Sequence, residues 1–142
     1  MRALVVEDDF TSRLLLQTYL ARFGECHVAI NGREAVEAFR IAKDSDTPYD
    51  LICMDIMMPE QDGQSALREI RAIEEAGGTL STTGVKIIMV TALDNVKEVV
   101  KSFNALCDAY VFKPVDTAQL LKHLKALALI PQEEGNLVGT KR

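Results

Sequence analysis

The chain has no excess of positive charge. Its 16 lysines and arginines stand against 21 aspartates and glutamates, for a net charge of −5. That balance argues against a basic nucleic-acid face as the main function, so no direct contact with nucleic acid is expected. No apolar run approaches the roughly 18 residues of a membrane span. No charged segment followed by a short apolar core opens the chain, as a secretory leader would. Membrane insertion is not expected, and a soluble cytoplasmic protein is. Cysteine is scarce and unpaired in pattern: Cys26, Cys53 and Cys107 are odd in number, with no CxxC spacing. Each is expected to serve as a small apolar core residue in a reducing compartment. Internal repeats are absent as well.

What remains is an ordinary globular composition, 48% hydrophobic and 26% charged over 142 residues. A chain of this size buries a core without disulfides or a structural metal. One domain over residues 1–130 is expected, followed by a short polar tail at 131–142 that leaves no room for a DNA-binding or enzymatic output domain. Short apolar runs at 3–6, 27–30, 51–54, 85–90 and 109–112 predict five strands. Between them the period changes to that of a helix. Leu16, Leu20 and Phe23 mark the first helix, stopped by Gly24. Ala35, Val36, Phe39 and Ala42 mark the second, after an Asn31–Gly32 turn. Ala66, Leu67, Ile70 and Ile73 mark the third, Val96, Val99, Val100 and Phe103 the fourth, and Leu120, Leu121, Leu124 and Leu127 the last. Loops are predicted at 43–48, 59–63 and 77–84. Fully apolar strands alternating with amphipathic helices argue for an α/β fold, a doubly wound five-stranded parallel sheet covered on both faces.

In such sheets ligands gather at the carboxyl ends of the strands. Here those ends carry Glu7 and Asp8, then Asp55, Thr91 and Lys113. Asp9 follows Asp8 and reads best as the cap of the first helix. Clustered carboxylates repel one another and hold their protons unless a cation lies between them. Oxygen-only donors suit Mg²⁺, and no soft ligand stands at a strand end to favour Zn²⁺. A carboxylate beside such a metal can act as a nucleophile and form an aspartyl-phosphate. Lys113 would help neutralise the transferring group, and Thr91 could donate a hydrogen bond to it.

The segments LVVEDD (4–9), MDIMMPEQDG (54–63), MVTA (89–92) and AYVFKP (109–114) resemble, in that order and spacing, a response-regulator receiver domain of two-component signalling. The resemblance covers residues 2–129 and implies the flavodoxin-like (βα)5 fold with strand order 2-1-3-4-5. It implies Asp55 as the phosphoacceptor, Mg²⁺ held by Glu7, Asp8, Asp55 and the backbone carbonyl of Met57, and Thr91 and Lys113 as the hydroxyl and ammonium that meet the phosphoryl group. It places an aromatic switch at Tyr110 and a cis bond before Pro114.

Further expectations follow from the same resemblance. The chain is similar to the stand-alone, chemotaxis-type receivers, which are not enzymes beyond assisting their own phosphorylation and dephosphorylation. The phosphodonor would be a sensor histidine kinase or a histidine phosphotransfer protein. The output would be a downstream protein bound through the face of the fourth helix, fifth strand and fifth helix, with Asn95, Lys97, Glu98, Lys101, Lys122 and Lys125 on its rim, and with a homodimer on phosphorylation as one possible consequence. Two rivals stand beside this reading: a pseudo-receiver that binds without being phosphorylated, and a phosphatase that uses an aspartyl-phosphate. The phosphatase would need a second acid two residues after the nucleophile, where Met57 stands. Three features depart from the family. The 77–84 loop is long. Leu106 or a neighbour occupies a turn where glycine is common. Met57 and Leu93, at the positions that tune dephosphorylation, are apolar and cannot orient an attacking water, which predicts a long-lived phosphoryl group.

Overall fold

The computed structural model describes residues 1–58, 62–79, 83–92 and 106–132. Its strands are β1 (Arg2–Val6), β2 (Glu25–Ala29), β3 (Leu51–Asp55), β4 (Lys86–Thr91) and β5 (Ala109–Phe112). All pair in parallel, in the order β2-β1-β3-β4-β5. This is the doubly wound, flavodoxin-like order that the sequence implied. The described helices are α1 (Phe10–Leu20), α2 (Gly32–Asp44), α3 (Gly63–Ala76) and α4 (Thr117–Ala126). The predicted helix around Val96 to Phe103, with Leu93 and the rim residues Asn95, Lys97, Glu98 and Lys101, lies outside the described residues, as do Pro59 and most of the tail.

Alternation along the strands builds two cores, because successive side chains point to opposite faces of a sheet. Leu4 and Val6 join Ile52, Met54 and Met89 under α2 and α3, where Phe39, Leu67 and Ile70 close the layer. Ala3 and Val5 join Cys53 and Val90 on the other face, with Leu16 and Leu20 of α1 and Leu120 and Leu124 of α4. Each large apolar side chain so buried contributes about 1.5–3 kcal/mol. Cys53 is fully buried, and its thiol is pushed up to about 12 by that burial. Among the described residues no helix is long and apolar enough to cross a membrane.

Two local expectations are corrected. Asn31–Gly32 is not a free turn: Asn31 is the cap of α2, its side chain accepting from the Glu34 amide at 2.8 Å, and Gly32 is already helical. The second strand runs Glu25–Ala29 rather than 27–30. Pairing with β1 from Arg2↔Glu25 to Val6↔Ala29 sets its limits, and as an edge strand it exposes Glu25 and Val28. The apolar run is therefore a poor guide to its bounds. Asp9, Asp62 and Asp116 cap the other three helices through the amides of Ser12, Ser65 and Ala118.

Candidate functional site

Register brings the strand ends together. Val6 pairs with Met54, Asp55 with Val90 and Thr91 with Phe112, so the residues that follow emerge on one rim. One carboxylate oxygen from each of Glu7, Asp8 and Asp55 lies within 4.8 Å of the others. Glu7 and Asp55 are buried, whereas Asp8 is exposed. Lys113 reaches in from the end of β5. Its Nζ donates to Asp55 Oδ2 at 3.1 Å and stands 3.1 Å from Glu7 Oε1. The second contact is an ion pair without hydrogen-bond geometry, for Glu7 Oε1 is a buried atom with no hydrogen-bond partner among the described residues.

Backbone groups hold the acids. Asp9 donates its amide to Glu7 Oε2 at 3.1 Å, and Met57 donates its amide to Asp55 Oδ1 at 3.3 Å. Arg13 Nη1 donates to the Glu7 carbonyl at 3.1 Å and to the Asp8 carbonyl at 3.4 Å, tying the loop after β1 to α1. Sequence reasoning passed over Arg13, since a basic residue one turn into a helix carries no signal of its own. Gly63 admits α3 to the site. A Cβ there would stand 2.5 Å from the Asp55 carbonyl oxygen and 2.9 Å from Ile56 Cα.

Electrostatics follow from this packing. Burial raises the Glu7 carboxyl, the Asp9 amide pulls it down and the Asp55 carboxylate pushes it up, leaving it at about 7. Burial pulls the Lys113 ammonium down, but the hydrogen bond to Asp55 and the contact with Glu7 outweigh it and the net shift is upward. Two buried acids thus share one ammonium, which meets Glu7 Oε1 as an ion pair, while no described residue donates a hydrogen bond to that oxygen. A hard divalent cation suits this donor set: three carboxylates, one with a buried oxygen that no described residue hydrogen-bonds, and no sulfur or imidazole among them. Residues Glu7, Asp8 and Asp55 fit Mg²⁺ on that ground.

The other expected site residues differ in their engagement. Thr91 ends β4, buried, and its hydroxyl donates to the Ala92 carbonyl at 3.2 Å rather than to the acids. The Lys113–Pro114 peptide bond is cis. The Met57 side chain is 68% exposed beside the site. Tyr110 is half-buried on β5 with its hydroxyl enclosed and without a hydrogen-bond partner among the described residues. Burial and the neighbouring Cys107 thiol raise that phenol well above its usual range.

A model of the response regulator receiver domain matches residues 3–125. The chain is 37% identical over 120 residues to the regulatory protein AtoC of Escherichia coli, covering 84% of this chain and 23% of that protein. It is 36% identical over 127 residues to the transcriptional regulatory protein ResD of Bacillus subtilis, covering 89% and 47% respectively. The chain therefore spans between about a quarter and about half of these relatives' length. Among solved structures, the receiver domain of the histidine kinase CKI1 from Arabidopsis thaliana, complexed with Mg²⁺ and BeF3⁻, superposes with a TM-score of 0.76 at 29% identity, over 91% of this chain and 90% of that one. A chain in the co-crystal of the Saccharomyces cerevisiae histidine phosphotransfer protein Ypd1 with the receiver domain of its downstream response regulator Ssk1 superposes with a TM-score of 0.76 at 26% identity, over 93% of each chain.

Proposed function

The chain belongs to the response regulator receiver domain family, and from that premise we propose that it is a phosphorylation-dependent switch of a two-component phosphorelay with Asp55 as its phosphoacceptor. The observation that carries this reading is the meeting of three carboxylates within 4.8 Å with an ammonium 3.1 Å from Asp55. The donor is a sensor histidine kinase or a histidine phosphotransfer protein, a class of partner that a structural neighbour's co-crystal supports. Transfer forms a bond from an Asp55 carboxylate oxygen to phosphorus and breaks the donor's phosphorus–nitrogen bond, the imidazole nitrogen keeping the electron pair.

Glu7, Asp8, Asp55 and the Met57 carbonyl would hold Mg²⁺. When bound, Mg²⁺ supplies neutralisation of the charge on the phosphoryl oxygens. Lys113 adds a second positive charge from the β5 side. The apolar strand β3 behind Asp55 and the Met57 amide beside it keep the nucleophile oriented. Thr91 rotates from the Ala92 carbonyl toward the phosphorylated Asp55, and Tyr110 responds. The two arrangements differ by a small local charge change, which is enough to bias a bistable element. Output passes through a protein contact on the face of β5, α4 and the predicted helix at 96–103, with phosphorylation-driven homodimerisation as one form of it.

Acetyl phosphate with and without Mg²⁺, followed by intact-mass measurement beside Asp55→Asn, tests the reading. A Mg²⁺-dependent gain of one phosphoryl group that Asp55→Asn abolishes is expected. A folded, Mg²⁺-binding protein that gains nothing would overturn it in favour of a pseudo-receiver. Turnover of an added phosphate monoester, such as p-nitrophenyl phosphate, would instead favour a phosphatase.

A further inference from the structure

The turn from Leu106 to Asp108 leads into β5, and it is the stretch where the sequence departs from the family's usual glycine. One side chain grips it from both ends. Arg71, on α3, is 7% exposed. Its Nε donates to the Leu106 carbonyl at 2.8 Å, and its Nη2 donates to Asp108 Oδ2 at 3.1 Å. Nη1 donates to Glu74 Oε1 at 2.7 Å and to the Val85 carbonyl at 2.8 Å. The acids are satisfied in turn. Glu74 Oε2 accepts from the Val85 amide at 2.7 Å, and Asp108 Oδ2 accepts from the Ile87 amide at 2.8 Å. Gly84 is packed so closely that a Cβ there would stand 2.2 Å from Glu74 Oε2.

A guanidinium donates in several fixed in-plane directions at once, and here they run to α3, to the start of β4 and to both ends of the turn. A lysine ammonium cannot reproduce that fork. Buried ion clusters are weak sources of stability, and choosing one arrangement among several is the better-supported use for them. The arrangement chosen here concerns Cys107, which lies between the two gripped residues. Its thiol neighbours the enclosed hydroxyl of Tyr110. Leu106, Cys107 and Tyr110 are each half-buried against the core under α2 and α3.

We propose that Arg71 is a positioning residue for Tyr110: by holding Leu106 and Asp108, the latter two residues before Tyr110, it fixes Cys107 and the start of β5, and so sets the resting position of the switch. This rests on the reading of Tyr110 as the switch. It adds that the position is governed from the far end of the sheet, by a residue that takes no part in phosphoryl chemistry.

The test uses the full chain with 3-fluorotyrosine placed at position 110, and compares wild type with Arg71→Lys and Asp108→Asn by fluorine NMR, with and without Mg²⁺ and beryllofluoride. Leu16→Ala, on the opposite face of the sheet, serves as a control for stability loss alone. In the metal-free protein the two turn variants are expected to shift the resonance toward that of exposed fluorotyrosine, while Leu16→Ala stays at the wild-type position. Phosphoryl uptake at Asp55 from acetyl phosphate should stay within about threefold of wild type in both turn variants, since neither substitution touches the acids. A wild-type resonance in folded Arg71→Lys and Asp108→Asn would overturn the proposal, and so would an equal shift in Leu16→Ala. Should Arg71→Lys not fold, Asp108→Asn, which conserves shape, decides alone. A wild-type protein that ignores beryllofluoride would count against the switch reading, while the metal-free comparison would still decide the role of Arg71.

Discussion

Lys113 and Asp55, 58 positions apart in the chain, meet at 3.1 Å across the carboxyl ends of β5 and β3. The same ammonium stands 3.1 Å from Glu7 Oε1. In the metal-free protein it is therefore the counter-charge for two buried acids. Lys113→Gln leaves those acids facing each other without it. The side chain is partly exposed, so the expected loss lies between that of a surface pair and that of a buried one, about 1–3 kcal/mol in urea unfolding with chelator present. Added Mg²⁺ should restore part of it. Phosphoryl uptake should fall by about 10²-fold or more, as when one preorganised charge partner of a transferring group is removed. Unchanged uptake would remove Lys113 from the site.

Glu7 makes the metal-free protein sensitive to pH. Its carboxyl is raised from 4.5 to about 7, chiefly by burial. Between those values the folded chain keeps a proton that the unfolded chain has lost. The unfolded state binds fewer protons there, so stability falls as pH rises through the window. With chelator present, wild type should be more stable near pH 5 than near pH 7.5, and Glu7→Gln should flatten that difference. Mg²⁺ binding should show the opposite trend. The ion must displace the Glu7 proton, so affinity should weaken by up to about tenfold per unit below pH 7. Calorimetric titration at several pH values reads this directly.

Gly63 sits where a side chain has no room. A Cβ would meet the Asp55 carbonyl oxygen and Ile56 Cα, both backbone atoms that cannot step aside. Gly63→Ala should cost about 1–3 kcal/mol, as overpacking does. It should also slow phosphoryl uptake at Asp55, because the strain is delivered to the peptide of the nucleophile itself. Thermal unfolding and the uptake rate together check this, and a loss of stability with no change in rate would assign Gly63 to the fold alone.

Met57 bears on lifetime. Its side chain is 68% exposed beside the acids and offers no group to orient water. Met57→Asn is expected to shorten the half-life of the phosphorylated chain, followed by phosphate release after removal of the donor. An unchanged half-life would contradict a role for the position.

Much of this was legible in the residues themselves. Fully apolar runs such as Leu51 to Met54 can only be buried on both faces, and the acids, the threonine and the lysine each follow such a run directly. Their convergence needs only parallel strands of matched register. Edge strand β2 starts earlier than its apolar run because half of it faces water, and it ends earlier because Ile30 is apolar yet exposed. Asn31 looked like a turn residue, since capping and turning draw on the same side-chain chemistry. The Arg71, Glu74 and Asp108 cluster could not be foreseen. Each residue alone reads as a surface charge, and only the packing of α3 against the starts of β4 and β5 brings them together.

The central claim is that Asp55 carries the phosphoryl group, and reductive trapping tests it most directly. An aspartyl-phosphate is an acyl phosphate, and borohydride reduces it to homoserine with loss of phosphate. The chain would be treated with acetyl phosphate and Mg²⁺, then with borohydride, and its peptides weighed. Homoserine at position 55, dependent on both donor and Mg²⁺ and absent elsewhere, is the expected result. Homoserine at position 8, or none at any position in a chain that binds Mg²⁺, would contradict the account.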